Sequence, residues 1–266
     1  MMGWESIDTH AKQWIKEAGE KIRASFHQTL NIQTKSNAND LVTNIDQEVE
    51  QFFISKIKEA FPDHRIFGEE GFGDKIEDLA GVVWFLDPID GTMNFIHQQR
   101  NFAISIGIFE DGIGKIGLVY DVVHDELYHA ISGKGAFMND EQIPSLKETS
   151  VNEAIIALNA TWVMENKRID HKLLIPLAKD ARGTRSYGSA ALELVYVAAG
   201  RMDAYISLRL SPWDYAGGVV IVEELGGFAT NLKGEKLDYL TKDSVFVAKP
   251  GLHETILKEY LKEGKW

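Results

Sequence analysis

Two aspartates three residues apart, Asp87 and Asp90, stand at the end of the apolar run Val82-Val83-Trp84-Phe85-Leu86. Pro88 lies between them, and Gly91-Thr92 follows. Carboxylates this close repel by about 4 kcal/mol at a separation of about 4 Å and an effective dielectric of about 20. A hard divalent cation shared between them removes that cost, so the pair reads first as a magnesium site. The apolar run predicts a buried strand. Pro88 has no N–H, so the strand is expected to end there, with Asp87 biased toward extended backbone. Both acids would then sit at a strand end beside a turn, where ligands of α/β proteins bind.

Three further acids occupy element ends: Asp46 at the start of a helix, Glu70 in the Gly68-Glu69-Glu70 turn after a strand, and Asp214 after Trp213 at another helix start. Any one of these reads equally well as a cap or a solvated turn. Asp46 in particular could merely close a capping box with Thr43. Five such acids in one chain, two of them tied together by Pro88, favour a common pocket. A phosphate cradle is the second requirement. Gly91-Thr92-Met93-Asn94-Phe95 predicts a helical turn whose free N–H groups face the same place. Gly188-Ser189-Ala190 opens another helix and could supply a second set, although Gly-Ser before a helix is also common capping chemistry.

Other chemistries are excluded or weak. With no cysteine, disulfides, zinc-thiolate sites and thiol nucleophiles are ruled out. Gly112-Ile113-Gly114-Lys115-Ile116-Gly117 matches a dinucleotide fingerprint, but Leu118-Val119-Tyr120 after it reads as a strand, so a hairpin turn is expected. The eight histidines are scattered, which argues against zinc. The 40 acids against 28 bases leave a net charge of −12, without the basic footprint that a nucleic-acid or anionic-membrane partner needs. No apolar run reaches the length of a membrane span, and the first residues lack a signal pattern, so a cytoplasmic setting is expected.

The elements that would position these acids follow from periodicity. Trp4 through Phe26 carries apolar residues at helical spacing, predicting a helix to about residue 29. A second is expected from near Thr43 to Pro62, then a short strand at Arg65-Ile66-Phe67. Residues 102–109, 115–121 and 126–131 read as strands of a hairpin-linked sheet. Beyond about residue 150, strands (154–158, 203–206) alternate with helices (172–178, 189–199, 214–225). At 44% apolar residues the chain can build a substantial core. One domain over residues 1–266 is expected, with internal halves at 1–145, holding the metal site, and 146–266, forming the substrate side.

The run Trp84-Phe85-Leu86-Asp87-Pro88-Ile89-Asp90-Gly91-Thr92-Met93-Asn94-Phe95 closely resembles the signature of the inositol monophosphatase family, which are magnesium-dependent, lithium-sensitive phosphomonoesterases. Blocks at Asp40 to Asp46, Gly68-Glu69-Glu70, Gly188-Ser189-Ala190-Ala191 and Trp213 to Gly218 follow the family order across nearly the whole chain. The resemblance implies an α/β fold: a layered α-β-α-β-α sandwich with a mainly antiparallel N-terminal sheet and a mixed C-terminal sheet, assembled as a homodimer. It implies two or three Mg²⁺ ions, with Mn²⁺ as a substitute, and a small phosphorylated metabolite as substrate. Glu70, Asp87, Asp90 and the Ile89 carbonyl resemble metal ligands, with Asp46 and Asp214 at the remaining metal positions. Thr92 with Glu70 resembles the group that orients the attacking water, and Asp90 joins them in the catalytic set. Gly91 and Thr92 resemble phosphate donors, and Gly188, Ser189 and Ala190 substrate contacts; Asp90 and Asp214 border the same substrate.

One departure bears on substrate. Members specialised for inositol carry a glutamate seven residues before the last metal aspartate, and this chain has Ser207 there, with Arg209 close behind. Inositol 1-phosphate is the expected substrate. NADP(H) or fructose 1,6-bisphosphate is the alternative that Ser207 and Arg209 motivate, and a non-catalytic cation or phosphometabolite binder is more remote.

Overall fold

Ile7, Ala11, Trp14, Ile15, Ala18 and Ile22 form one buried stripe of α1 (Trp4–Ser25), in a computed structural model that describes residues 3–35 and 41–265. The helix stops earlier than periodicity suggests, where the Ser25 hydroxyl donates to the Ile22 carbonyl at 2.6 Å. A short hairpin, β1 (Ile32–Thr34) with β2 (Leu41–Thr43), leads into α2 (Asn44–Ala60). The capping box is formed: Thr43 Oγ1 accepts from the Ile45 N–H at 3.2 Å, and Asp46 accepts from the Thr43 N–H at 2.9 Å. Asp40, at the head of this block, lies outside the described residues.

Seven strands follow: β3 (Arg65–Gly68), β4 (Val82–Asp90), then, after α3 (Thr92–Gln98), β5 (Ala103–Glu110), β6 (Ile113–Asp121), β7 (Glu126–Ile131), β8 (Gly135–Met138) and β9 (Glu141–Gln142). They line up in sequence order as one sheet, antiparallel except for the β3–β4 pair. The glycine-rich stretch is a hairpin turn, with Asp111 and Gly112 at φ 51° and 77° leading into β6.

The second half contains β10 (Ile155–Leu158), α4 (Leu174–Asp180), β11 (Gly183–Arg185), α5 (Ala190–Ala198), β12 (Ala204–Leu210), α6 (Pro212–Glu224), β13 (Phe228–Thr230), β14 (Asp243–Ala248) and α7 (Leu252–Thr255). Its sheet runs β11-β10-β12-β14-β13 and is mixed: β10 is parallel to its neighbours, β14 antiparallel. Three apolar cores stack the layers. Trp84, Leu86, Ile104 and Ile106 face α1 and α2. Val119 and Tyr128 from the first sheet and Tyr205, Val245 and Val247 from the second enclose α5 and α6. Ile156, Ile206 and Phe246 face α4 and α7. The result is the expected α-β-α-β-α sandwich.

Two local features set the site. The strand does not stop at Pro88; β4 continues to Asp90 through an irregularity in which Asp87 pairs with Ser105 and Asp90 with Ala103. Three steps on one strand match two on its partner, a bulge that accommodates the missing proline N–H. Residues three apart face opposite sides of a regular strand, so the bulge is what lets both aspartates join one site. The second feature is close approach. A Cβ on Gly117 would stand 2.2 Å from the Gly217 carbonyl oxygen, so α6 rests directly on the sheet backbone. Gly117→Ala should therefore cost about 1–3 kcal/mol of stability by forcing the layers apart. Urea denaturation checks this; a loss within about 0.5 kcal/mol would show that the contact yields.

Candidate active site

Asp87 and Asp90 are buried, at 2% and 8% exposure, and Asp46 is fully buried. Burial raises the Asp87 carboxyl well above its ordinary range, and the charges of Glu69, Asp90 and Asp214 add to it. Burial lifts Asp90 to about 6 and Asp46 to about 6. Asp214, at the third position of α6, is half-buried and accepts from the Ser211 N–H at 2.8 Å. Its carboxyl too is raised well above the ordinary range by burial, then by Asp90 and Glu69. Helix starts, a strand end and the turn after β3 thus bring acids near enough to raise one another's carboxyls.

The Gly-Glu-Glu turn corrects one expectation. The glutamate whose charge raises Asp87, Asp90 and Asp214 is Glu69 rather than Glu70. Glu70 bonds the Lys35 ammonium at 2.5 Å, and burial lifts it to about 7. Lys35 also reaches Glu69, at 2.8 Å. Glu50, absent from the sequence reading, is fully buried and accepts the Glu70 and Phe72 N–H groups at 2.6 and 2.9 Å. It fixes the turn that carries Glu69.

Thr92 Oγ1 lies 3.2 Å from Asp46 Oδ1 and 3.1 Å from the Ile89 carbonyl, the two acceptors between which its one proton is shared, so Ile89 keeps at least one lone pair for another partner. Gly91 caps α3 at φ 97°, and a Cβ there would crowd the Gly188 carbonyl oxygen at 3.3 Å. The starts of α3 and α5 therefore nearly touch. At α5, however, the groups are already engaged: Ser189 Oγ donates to Asp90 Oδ2 at 2.5 Å and the Ala191 N–H to the same oxygen at 2.7 Å. These donors serve Asp90 and are not a free second cradle. Gly188, Ser189, Ala190, Ser207 and Arg209 do meet around one cavity of about 500 Å³ bordered by Asp90. Glu193, also overlooked, lies on its wall, accepts from the Tyr187 and Gly188 N–H groups, and is raised to about 7 by burial.

Among the described residues no three acids or histidines stand ready around a single metal-ligating point. The fit to a hard divalent ion rests on the donor set: buried, mutually repelling carboxylate oxygens and one carbonyl, with no thiolate or imidazole among them. That crowding has a measurable consequence when divalent ions are removed. From the unfolded value of 3.8 to about 6, folded Asp46 holds more proton than the unfolded chain does. Stability is then fullest below about pH 4 and falls as pH rises through about 6, by about 3 kcal/mol from Asp46 alone. Melts in EDTA should show lower stability at pH 8 than at pH 5, with Mg²⁺ restoring it at pH 8. Equal stability at the two pH values would contradict the crowding.

The family model for the inositol monophosphatase family matches residues 4–264. An inositol-1-monophosphatase of Bacillus subtilis is 64% identical over 261 residues, covering 98% of each chain. A Thermotoga maritima fructose-1,6-bisphosphatase/inositol-1-monophosphatase is 34% identical over 92% of this chain and 91% of its own. The inositol monophosphate-bound SaIMPase-II structure, of a Staphylococcus aureus protein, superposes with a TM-score of 0.87 at 42% identity, covering 97% of this chain and 94% of that one. A LiCl-soaked inhibitory complex of staphylococcal inositol monophosphatase-1 gives 0.90 at 30% identity, over 97% and 95%. An IMPase/NADP phosphatase with Mg²⁺ and phosphate gives 0.87 at 30%, over 96% and 95%. This chain belongs to the inositol monophosphatase family. It is a phosphoric monoester hydrolase of that family.

Proposed function

We propose that the protein is a Mg²⁺-dependent phosphatase acting on inositol 1-phosphate. The mutual electrostatic influence of Asp87, Asp90, Asp214 and Glu69, beside a cavity of substrate size bordered by Asp90, carries this reading. These four, with the Ile89 carbonyl, would hold the ions, two or three by family resemblance, with Mn²⁺ able to substitute. Bound there, Mg²⁺ would supply a lowered water pKa and charge stabilisation of the leaving alkoxide. Thr92, held between Asp46 and the Ile89 carbonyl, is placed to orient the attacking water, with Asp46 as acceptor for its proton. The Gly91 and Thr92 N–H groups would hold phosphate oxygens. Asp90 and Asp214 border the substrate, which extends into the cavity lined by Gly188, Ser189, Ala190, Ser207 and Arg209.

Ser207 leaves this wall without a charged acceptor for ring hydroxyls, so NADP(H) or fructose 1,6-bisphosphate is the second reading. Phosphate release from all three substrates at fixed Mg²⁺ decides between them, and lithium should inhibit each. Failure to release phosphate from any of them would sink the proposal. A cytoplasmic homodimer without nucleic-acid or membrane partners is inferred from the resemblance and the acidic charge; sedimentation of the purified chain tests the dimer. No helix among the described residues is long and apolar enough to cross a membrane.

A further inference from the structure

A further, smaller core lies between the first sheet and α6 and is rich in aromatic rings. Val83, Phe85, Phe109, Ala216 and Val220 are its buried members, and Phe67, Trp213 and Tyr239 pack against them. Along the chain these rings sit next to acids of the site. Phe67 comes two residues before Glu69, Phe85 two before Asp87, and Trp213 and Tyr215 flank Asp214. Alternate residues of a strand share a face, so Phe85 and Asp87 point the same way from β4. Phe67 stands opposite Phe85 in the parallel β3–β4 pair, and the Glu69 N–H extends that pairing with a bond to the Leu86 carbonyl at 3.1 Å. Ser105, the partner of Asp87 on β5, donates from Oγ to the Trp213 carbonyl at 3.2 Å. The start of α6 is thus tied to the strand beside Asp87.

One ring closes this core from outside the layers. Tyr239 belongs to the irregular segment between β13 and β14. Its ring centroid stands 4.6 Å from that of Phe109, 5.5 Å from Tyr215 and 5.9 Å from Phe85. Phe85 in turn meets Phe67 at 5.9 Å, and Phe67 meets Trp213 edge-on at 5.2 Å. Inclined rings at these separations attract one another beyond the area they bury. The segment that carries Tyr239 is itself pinned. The Tyr215 hydroxyl donates to the Asp238 carbonyl at 2.6 Å, and the Asp238 carboxylate accepts from the Leu240 N–H at 2.9 Å and the Thr241 hydroxyl at 2.7 Å. Beyond the ring lies a cavity of about 440 Å³, so no further layer backs it. A smaller side chain there would open the core to water.

Carboxylates held close without a counter-ion push their segments apart. Packing behind them has to resist that push, and the rings of β3, β4 and α6 all meet Tyr239, directly or through one neighbour. We propose that Tyr239 is a positioning residue of the metal centre. Its ring wedges the segments that carry Glu69, Asp87 and Asp214 at the spacing a divalent ion needs, so that the ion meets acids already gathered. The inference rests on the Mg²⁺-dependent reading above and adds to it a residue that touches neither ion nor substrate.

The test follows the unfolding midpoint at pH 8 against Mg²⁺ concentration, without substrate, in the wild type, Tyr239→Phe, Tyr239→Leu, Tyr239→Ala and Leu177→Ala. Leu177, on α4, is fully buried in a separate core and controls for a plain loss of packing. Tyr239→Ala should raise the Mg²⁺ concentration for half-maximal stabilisation by about 10-fold or more, and Tyr239→Leu by about 3-fold or more. Tyr239→Phe, which keeps the ring, and Leu177→Ala should both stay within about 2-fold of the wild type. At saturating Mg²⁺, kcat for inositol 1-phosphate should fall by less than about 3-fold in every variant, which separates positioning from chemistry. Should Tyr239→Ala fail to fold, Tyr239→Leu decides. An unchanged Mg²⁺ dependence in Tyr239→Leu, an equal shift in Leu177→Ala, a shift in Tyr239→Phe, or a larger loss in kcat would each overturn the assignment. Mg²⁺-dependent phosphate release by the wild type in those cases leaves the phosphatase reading standing. A wild type that Mg²⁺ neither stabilises nor activates removes both.

Discussion

Asp90→Asn should lower Mg²⁺-dependent phosphate release by more than about 100-fold, since even partners one step removed from a metal cost 10–100-fold when replaced. The variant is a clean one because of how Asp90 is held. Ser189 Oγ and the Ala191 N–H both donate to the same oxygen, Oδ2. An asparagine can present its carbonyl oxygen to both donors, so the start of α5 keeps its anchor while the negative charge is lost. Folding should survive, and without divalent ions the variant should melt no lower than wild type, because Asp87 and Asp214 each lose a repelling neighbour. Asp90→Ala, which loses the anchor as well, should be clearly less stable. Phosphate-release assays beside thermal melts separate the two losses. Wild-type turnover by Asp90→Asn would remove Asp90 from the chemistry.

The second large effect distinguishes adjacent glutamates. Glu69→Gln should cost more than about 100-fold in kcat/KM, and Glu70→Gln about 10-fold, the latter mostly in the Mg²⁺ concentration needed for half-maximal rate. Glu69 is the glutamate whose charge raises Asp87, Asp90 and Asp214, whereas Glu70 makes the shorter bond to Lys35. Magnesium titrations of the two variants under identical conditions measure the split. The reverse ranking would return the ligand role to Glu70.

That pair also marks where sequence reading stops. Within strands and helices the period decides which way a side chain faces, so α1, α2 and the strands from 103 to 131 were legible, the capping box at Thr43 and Asp46 was legible from its residue pattern, and the layer order was implied by the family resemblance alone. Glu69 and Glu70 lie just past the end of β3, where no period applies. Their orientation is set by Glu50, which on the sequence is an ordinary acid in the middle of α2. Pro88 misled for a different reason: its missing N–H predicts a strand end, and only pairing with β5 reveals the bulge that lets the strand pass. The engagement of Ser189 with Asp90 spans 99 residues, so it has no local signature. β14 was passed over as well; its short run, Asp243–Ala248, carries no alternation to announce that it lies between β12 and β13.

The grip of Ser189 and Ala191 on Asp90 has an evolutionary corollary. One side of the substrate chamber is bolted to the hydrolytic apparatus, so changes there are punished in turnover before they can alter preference. Ser207 and Arg209 line the same cavity from an irregular stretch of β12, where a substitution leaves that grip in place. New substrates can be recruited along that stretch while the reaction itself stays intact.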